Sequence, residues 1–238
     1  MNRHNHFPPG PASSGREAGF TLVELLIAMF VSGLVMSAVV AAYTAQSRQY
    51  AAHDNVAEIQ QNLRGVLAIL PQEIRLAGCD PTGTAGAGFK KATATELHFT
   101  MDVRGAGNGN EANGKTTDPG EEIAYAYNQD TRKLKRQTGG AGGFQPLADN
   151  IDNLEFNYIL ENGTTSTTPG NLNAIRAVQV SILGRTASPD PGFIHRRSYT
   201  TASDATYTTA SGATWKPPQD HYRRRLVITT IQCRNMGF

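Results

Sequence analysis

A single carboxylate, Glu24, stands inside an otherwise apolar stretch covering residues 20–42. From Leu25 to Ser47 the chain has no charged residue at all. At the centre of a membrane helix an acid costs about 2.5–3.5 kcal/mol on insertion scales, and near the headgroups it costs little. The chemistry available to it is electrostatic: a carboxylate here waits for a cation. A cut between Gly19 and Phe20 creates one, because the new ammonium lies at a helix N-terminus, where its charge and the helix dipole add. Glu24 is then the natural partner of the same amine on a neighbouring chain.

Other residue sets fit sites of known chemistry by type and fail by context. Gly109-Asn110-Glu111-Ala112-Asn113-Gly114-Lys115-Thr116 satisfies the pattern of a phosphate-cradling loop. That loop works only where a strand feeds it and a helix opens at the Lys-Thr pair, so that amides and dipole point at phosphate. Here Thr117-Asp118-Pro119-Gly120 follows, which is a turn, so nucleotide binding is not expected. Asp102, Asn108, Asn110, Glu111, Asp118, Glu121 and Glu122 offer oxygens of the kind calcium favours, without EF-hand spacing. His53, His98, His195 and His221 show no paired ligand spacing, so no metal is expected. Arg196-Arg197 and Arg223-Arg224-Arg225 could attract DNA or anionic surfaces, although such runs are more often solvated strand ends. Asn162-Gly163-Thr164 fits a glycosylation sequon and is given no weight. No nucleophile, base and orienting acid stand at catalytic spacing, so neither an enzyme nor a cofactor is expected.

The elements that must position these residues follow from composition and periodicity. The chain has 238 residues, a formal net charge of +2, 39% hydrophobic residues and 24 glycines. That balance excludes wholesale disorder and collagen-like repetition. A charge this close to neutral argues against a protein built chiefly to grip nucleic acid. Two cysteines cannot supply a four-cysteine zinc site. A mean hydropathy below zero excludes a polytopic membrane protein. The one exception, residues 20–42, is long enough to cross a bilayer as a helix and too long for the core of a secretory signal. Arg3 and Arg16 precede it and no basic residue directly follows, which places the N-terminus in the cytoplasm and the bulk of the chain outside it.

Beyond Arg48, Ile59, Leu63, Val66, Leu67, Leu70 and Ile74 recur at three- and four-residue intervals, so the helix continues in amphipathic form. Pro71 removes one backbone donor and is expected to kink the last turns. Gly78 and Asp80-Pro81 then stop it. Strands are expected at 96–103, 123–128 paired with 132–137, 151–160, 175–183 and 226–233, forming an antiparallel sheet laid on the helix. Residues 105–120, 162–173 and 200–218 read as polar surface loops. Cys79 and Cys233 stand at the end of the helix and near the C-terminus. Outside the cytoplasm a bridge between them is allowed; it would close a loop of about 155 residues, worth about 5 kcal/mol in the chain-entropy model. A disulfide is the expectation, and two unpaired buried thiols are the alternative.

Gly19-Phe20-Thr21-Leu22-Val23-Glu24-Leu25-Leu26-Ile27-Ala28 resembles the type IV prepilin signature. The resemblance implies that a dedicated peptidase cuts after Gly19 and methylates Phe20, and that Glu24 pairs with a neighbouring subunit. Glu73-Ile74-Arg75-Leu76-Ala77-Gly78, ahead of the first cysteine, together with Arg234-Asn235, is similar to the PilW group of minor pilins. Major pilins often close a C-terminal loop between nearby cysteines, a spacing this chain lacks, and that departure with its larger size points to a minor subunit.

The implied fold is α+β, a long N-terminal helix, transmembrane in its first half, packed on an antiparallel β-sheet. The implied division is a leader at 1–19, a transmembrane helix half at 20–48, an amphipathic helix at 49–78 and an extracytoplasmic β-rich head at 79–238. The implied role is a structural subunit that helps initiate pilus assembly near the filament tip, single-pass in the inner membrane before it enters the pilus. Its partners would be other minor and major pilins, the prepilin peptidase, the inner-membrane assembly platform and membrane lipid, with nucleic acid not expected. A minor pseudopilin of a type II secretion system shares every N-terminal feature. A tip adhesin or DNA-uptake pilin would instead work through the threonine- and arginine-rich loops.

Overall fold

The computed structural model describes residues 19–104, 111–139, 142–190, 192–194, 199–200, 214–215 and 220–237. The chain divides into two compact units, Met1–Tyr50 and Ala51–Phe238, and helix α1, Leu22–Leu76, belongs to both. In the first unit every described residue is exposed, although the helix contains a stretch long and apolar enough to cross a membrane. Three of its hydroxyls are satisfied within the helix. Ser32, Ser37 and Thr44 donate to the carbonyls of Ala28, Leu34 and Ala41 at 2.6, 2.8 and 2.9 Å, the back-bonding that lets such side chains sit in an apolar medium.

In the second unit α1 is one-sided. Ile59, Leu63, Val66, Leu70, Ile74 and Ala77 are buried at the spacing of one helical face. Leu67, expected on that face, is only half-buried. The helix runs through Pro71 and ends at Leu76, just before the expected stop at Gly78. Gly78 then turns the chain with φ +75°, the left-handed conformation that commonly ends a helix. A side chain there would also meet Met236 Sδ at 2.5 Å.

The β-rich part forms two principal antiparallel sheets where one was expected. The first contains β1 (Phe89–Ala92), β2 (Glu96–Thr100), β3 (Glu122–Asn128), β4 (Lys133–Thr138) and β5 (Gln145–Ala148) in that order. The second is built from β6 (Ile151–Leu160), β7 (Thr165–Ser166), β8 (Ile175–Arg185) and β11 (Arg224–Gln232), ordered β11-β8-β6-β7. A separate two-stranded pair joins β9 (Tyr199–Thr200) to β10 (Thr214–Trp215). The division falls at Asp149-Asn150. Asn150 takes φ 56°, and the chain leaves β5, which pairs β4, to enter β6, which pairs β8. Strands β1 and β5 were missed because each is short and lacks clean alternation: β1 carries two lysines and β5 contains Pro146, which suits an edge position.

The two sheets share one core. Leu97, Phe99, Tyr125 and Leu134 of the first meet α1 and Leu154, Phe156, Tyr158, Val178, Val180 and Ile182 of the second in a continuous buried cluster. Hydrogen bonds tie the sheets together: Tyr158 Oη donates to Thr93 O at 2.9 Å, Phe156 N to Ala94 O at 2.8 Å and Tyr127 Oη to Asp152 O at 2.7 Å. Glu73 fastens α1 to the first sheet, accepting both arms of Arg136, with Arg136 Nε at 2.9 Å, and the Tyr125 hydroxyl. Burial and Glu73 together hold the Tyr125 phenol far above its ordinary pKa.

Helix α1 approaches β8 closely at Gly184. A Cβ there would lie 3.1 Å from Ile59 Cγ2 and 3.4 Å from both Leu63 methyls. Gly184→Val forces the helix off the strand and is expected to destabilise the second unit by about 1–3 kcal/mol. Denaturant unfolding followed by tyrosine fluorescence checks this. An unchanged midpoint would mean that α1 does not ride on β8.

Candidate functional site

Gly19, Phe20 and Thr21 precede the first helical residue, so the expected cleavage point lies in non-helical chain, and Phe20 is 90% exposed. Thr21 caps the helix. Its N–H and its hydroxyl both donate to Glu24 Oε2 at 2.9 Å, and the Glu24 N–H donates back to Thr21 Oγ1 at 3.2 Å. This reciprocal capping box satisfies orphan donors at the helix start. Its Thr-x-x-Glu signature is visible in the sequence and was not read. Both bonds to the carboxylate use Oε2, and Glu24 Oε1 accepts no hydrogen bond among the described residues. Glu24 therefore defines its own helix start while keeping one oxygen available.

The two short segments 73–78 and 234–235 meet at the other end of α1. Asn235 Nδ2 donates to Arg75 O at 3.1 Å, covering a carbonyl that the helix cannot pair itself. Met236 packs over Gly78, and Cys233 N donates to Arg176 O at 2.9 Å. Cys79 and Cys233 are free thiols in the structure, so the expected bridge is not formed there. Each fills apolar space instead: Cys233 is within the core and Cys79 packs against it. Burial pushes the Cys233 thiol up to about 12. Cys79 is also raised, by burial first and then by the nearby charges of Asp102 and Asp80.

The acids of the calcium-like loop hold the loop itself. Asp102 is fully buried and accepts from Asn113 N at 3.0 Å, Gly114 N at 2.8 Å and Thr82 Oγ1 at 3.2 Å. Glu121, equally buried, accepts from Val103 N and Arg104 N at 2.8 Å and from Asp118 N at 3.2 Å. Among the described residues no group of three or more His, Cys, Asp or Glu could hold a metal. The same bonds bear on the phosphate-loop pattern, since the amides of Asn113 and Gly114 already face Asp102. Residues 111–120 contain no helix. Asn108, Gly109 and Asn110 lie outside the described residues.

Two arginines of the second basic run are similarly engaged, while Arg225 is exposed. Arg223 donates to Asp190 Oδ2 through Nε at 3.0 Å and Nη2 at 2.7 Å, and these bonds hold the Asp190 carboxyl below its usual range. Arg224 donates to Asp152 and, through both terminal nitrogens at 2.6 Å, to Asp220. Arg196, Arg197 and His195 lie outside the described residues. His98 Nε2 sits 2.8 Å from Glu122 Oε1 and His221 Nδ1 2.6 Å from Phe193 O, while His53 is exposed. Asn162 closes its turn by accepting from Thr164 N at 3.0 Å and Thr164 Oγ1 at 2.7 Å.

A long N-terminal helix on antiparallel sheets, with a lone acid near its start, is a type IV pilin fold. Residues 14–40 match the prokaryotic N-terminal methylation motif, and residues 123–235 match the family of the type IV pilus-assembly protein W. The structure is similar to that of the type IV-like pilin TTHA1219 from Thermus thermophilus, with a TM-score of 0.51 at 16% identity, over 75% of this chain and 97% of that one. No curated protein matches. The chain thus joins a prepilin-type N-terminal motif and a region similar to the PilW family on a fold like that of type IV pilins.

The loop assignment is testable. Asp102→Ala strands the Asn113 and Gly114 amides and is expected to cost about 1–3 kcal/mol. It should also expose residues 103–120 to limited proteolysis. Unchanged cleavage would show that the carboxylate does not hold the loop.

Proposed function

We propose that this chain is a minor type IV pilin that helps initiate pilus assembly and sits near the filament tip. The observation that carries the reading is the uncovered apolar first unit with Glu24 at its start. A 55-residue helix with no buried side chain in its first unit needs lipid or other helices around it. The methylation motif lies over the same residues. On this reading residues 1–19 are a leader removed after Gly19, and Phe20 becomes the methylated N-terminus. Residues 20–48 form the membrane half of the helix, 49–78 its amphipathic continuation and 79–238 the extracytoplasmic head. Glu24 Oε1, unengaged among the described residues, accepts the ammonium of a neighbouring subunit. The partners are other minor and major pilins, the prepilin peptidase, the assembly platform of the inner membrane and lipid.

N-terminal mass spectrometry of the mature protein is expected to begin at N-methylated Phe20 when the peptidase is present and to retain the leader when it is absent. Any other mature start would overturn the reading. Glu24→Val is expected to insert normally into the membrane but to fall several-fold in sheared filaments, measured by immunoblot. Normal recovery would remove Glu24 from assembly.

The Cys79–Cys233 bridge belongs to the same proposal, as a covalent tie between the end of α1 and the C-terminal turn. Denatured protein from the periplasm, purified without reductant, is expected to show no alkylatable thiol, and cytoplasmically expressed protein two. Two reactive thiols in both preparations would mean that the sulfurs act as apolar filler alone.

A further inference from the structure

Arg185 ends β8, and its treatment differs from that of the other arginines around it. Its side chain is only 13% exposed, yet it donates no hydrogen bond among the described residues, and its Nε is buried with no partner. A guanidinium carries five donors, and a buried polar group left unpaired calls for an explanation. The nearest acid oxygen, Asp152 Oδ1, is 3.7 Å away. That oxygen already has Arg132 Nε at 3.2 Å, and Asp152 Oδ2 accepts from Arg224. One carboxylate thus faces three guanidinium groups, of which only Arg224 hydrogen-bonds it, and Arg185 is the one whose Nε is buried without a hydrogen bond. Its flat face rests on the Tyr222 ring, with Cζ 4.1 Å from the centroid. This contact fixes the plane of the guanidinium, and with Nε buried toward Asp152 it leaves the two terminal nitrogens for an acceptor.

We propose that Arg185, with Arg132 beside it, is an anion site at the end of the four-stranded sheet that takes one carboxylate from a protein partner. A planar guanidinium locked by an aromatic ring suits bidentate recognition of a carboxylate. Phosphate shares that chemistry, but the surroundings favour the single acid. Nucleic acid is held by many phosphate contacts spread along a basic surface, and the adjoining Arg223 and Arg224 are committed to Asp190, Asp152 and Asp220. Asp152 beneath the site would repel a polyanion while tolerating one carboxylate shared between two arginines. The inference stands whether or not the chain enters a filament; within one, the partner is an acidic side chain on a neighbouring head.

The test uses the full chain in detergent micelles, labelled with ¹⁵N-arginine, titrated with acetate, with a tetraglutamate peptide and with single-stranded DNA against chloride of equal ionic strength. The Arg185 Nε–Hε resonance, identified by its loss in Arg185→Lys, is expected to shift saturably with acetate and at about tenfold lower concentration with the peptide. The Arg223 resonance should stay in place. Tyr222→Leu is expected to weaken the response about fivefold without moving the Arg223 signal. A linear response no larger than that of chloride overturns the site. DNA saturating the shift below the peptide concentration overturns the carboxylate assignment in favour of phosphate.

Discussion

The physical constraint on which everything else depends is that one helix must satisfy two solvents. In its first unit α1 offers apolar side chains in all directions, and no part of that unit buries them. Such surface is unstable in water and stable only against lipid or other apolar helices. The polar groups within it are treated as an apolar medium demands: three hydroxyls fold back onto helix carbonyls and Glu24 shares Oε2 with Thr21. A helix prepared in this way lacks only a surrounding. The prepilin-type motif over the same residues suggests a membrane-anchored helix.

In its second unit the same helix is anchored by three unlike devices. The buried face of Ile59, Leu63, Val66, Leu70, Ile74 and Ala77 supplies most of the free energy, at about 1.5–3 kcal/mol for each large apolar side chain removed from water. Gly184 lets the helix approach β8 without a side chain between them. Glu73 and Asn235 then set the axial position, one gripping Arg136 and Tyr125 and the other covering Arg75 O. Apolar burial is non-directional, whereas these polar contacts specify register. They also give a physical meaning to the short segments 73–78 and 234–235. Far apart in sequence, they form the two halves of one helix terminus.

Legibility in the sequence followed the length and regularity of each pattern. The helix was readable because its apolar run and its three-four spacing persist for many turns, and 151–160 was readable because ten residues of β-rich composition leave little choice. Strands β1 and β5 were not, since four residues with paired lysines or a proline carry no period. The split into two sheets depended on one left-handed residue, Asn150, and on long-range pairing of β6 with β8, neither of which a local pattern encodes. At the candidate site the prepilin-like residues 19–28 were legible as a block. The burial of Asp102 and Glu121 was not, because a loop acid that binds backbone amides has the same composition as one that binds calcium or water.

That last ambiguity shows where function is to be sought. Asp102, Glu121, Glu73, Asp190 and Asp220 each have partners within the chain, so the local fold already accounts for their charge. Removing any of them perturbs folding before it perturbs recognition. A group that folding leaves unsatisfied is different, because its cost was tolerated while neighbouring groups of the same type were paired. Arg185 Nε, buried without a hydrogen bond among the described residues, is of this second kind, while the exposed Glu24 Oε1 merely stays open; each side chain is held by a contact that does not use its full bonding capacity, the ring of Tyr222 for one and the capping hydroxyl of Thr21 for the other. Such pre-orientation lowers the ordering cost when an opposite charge arrives.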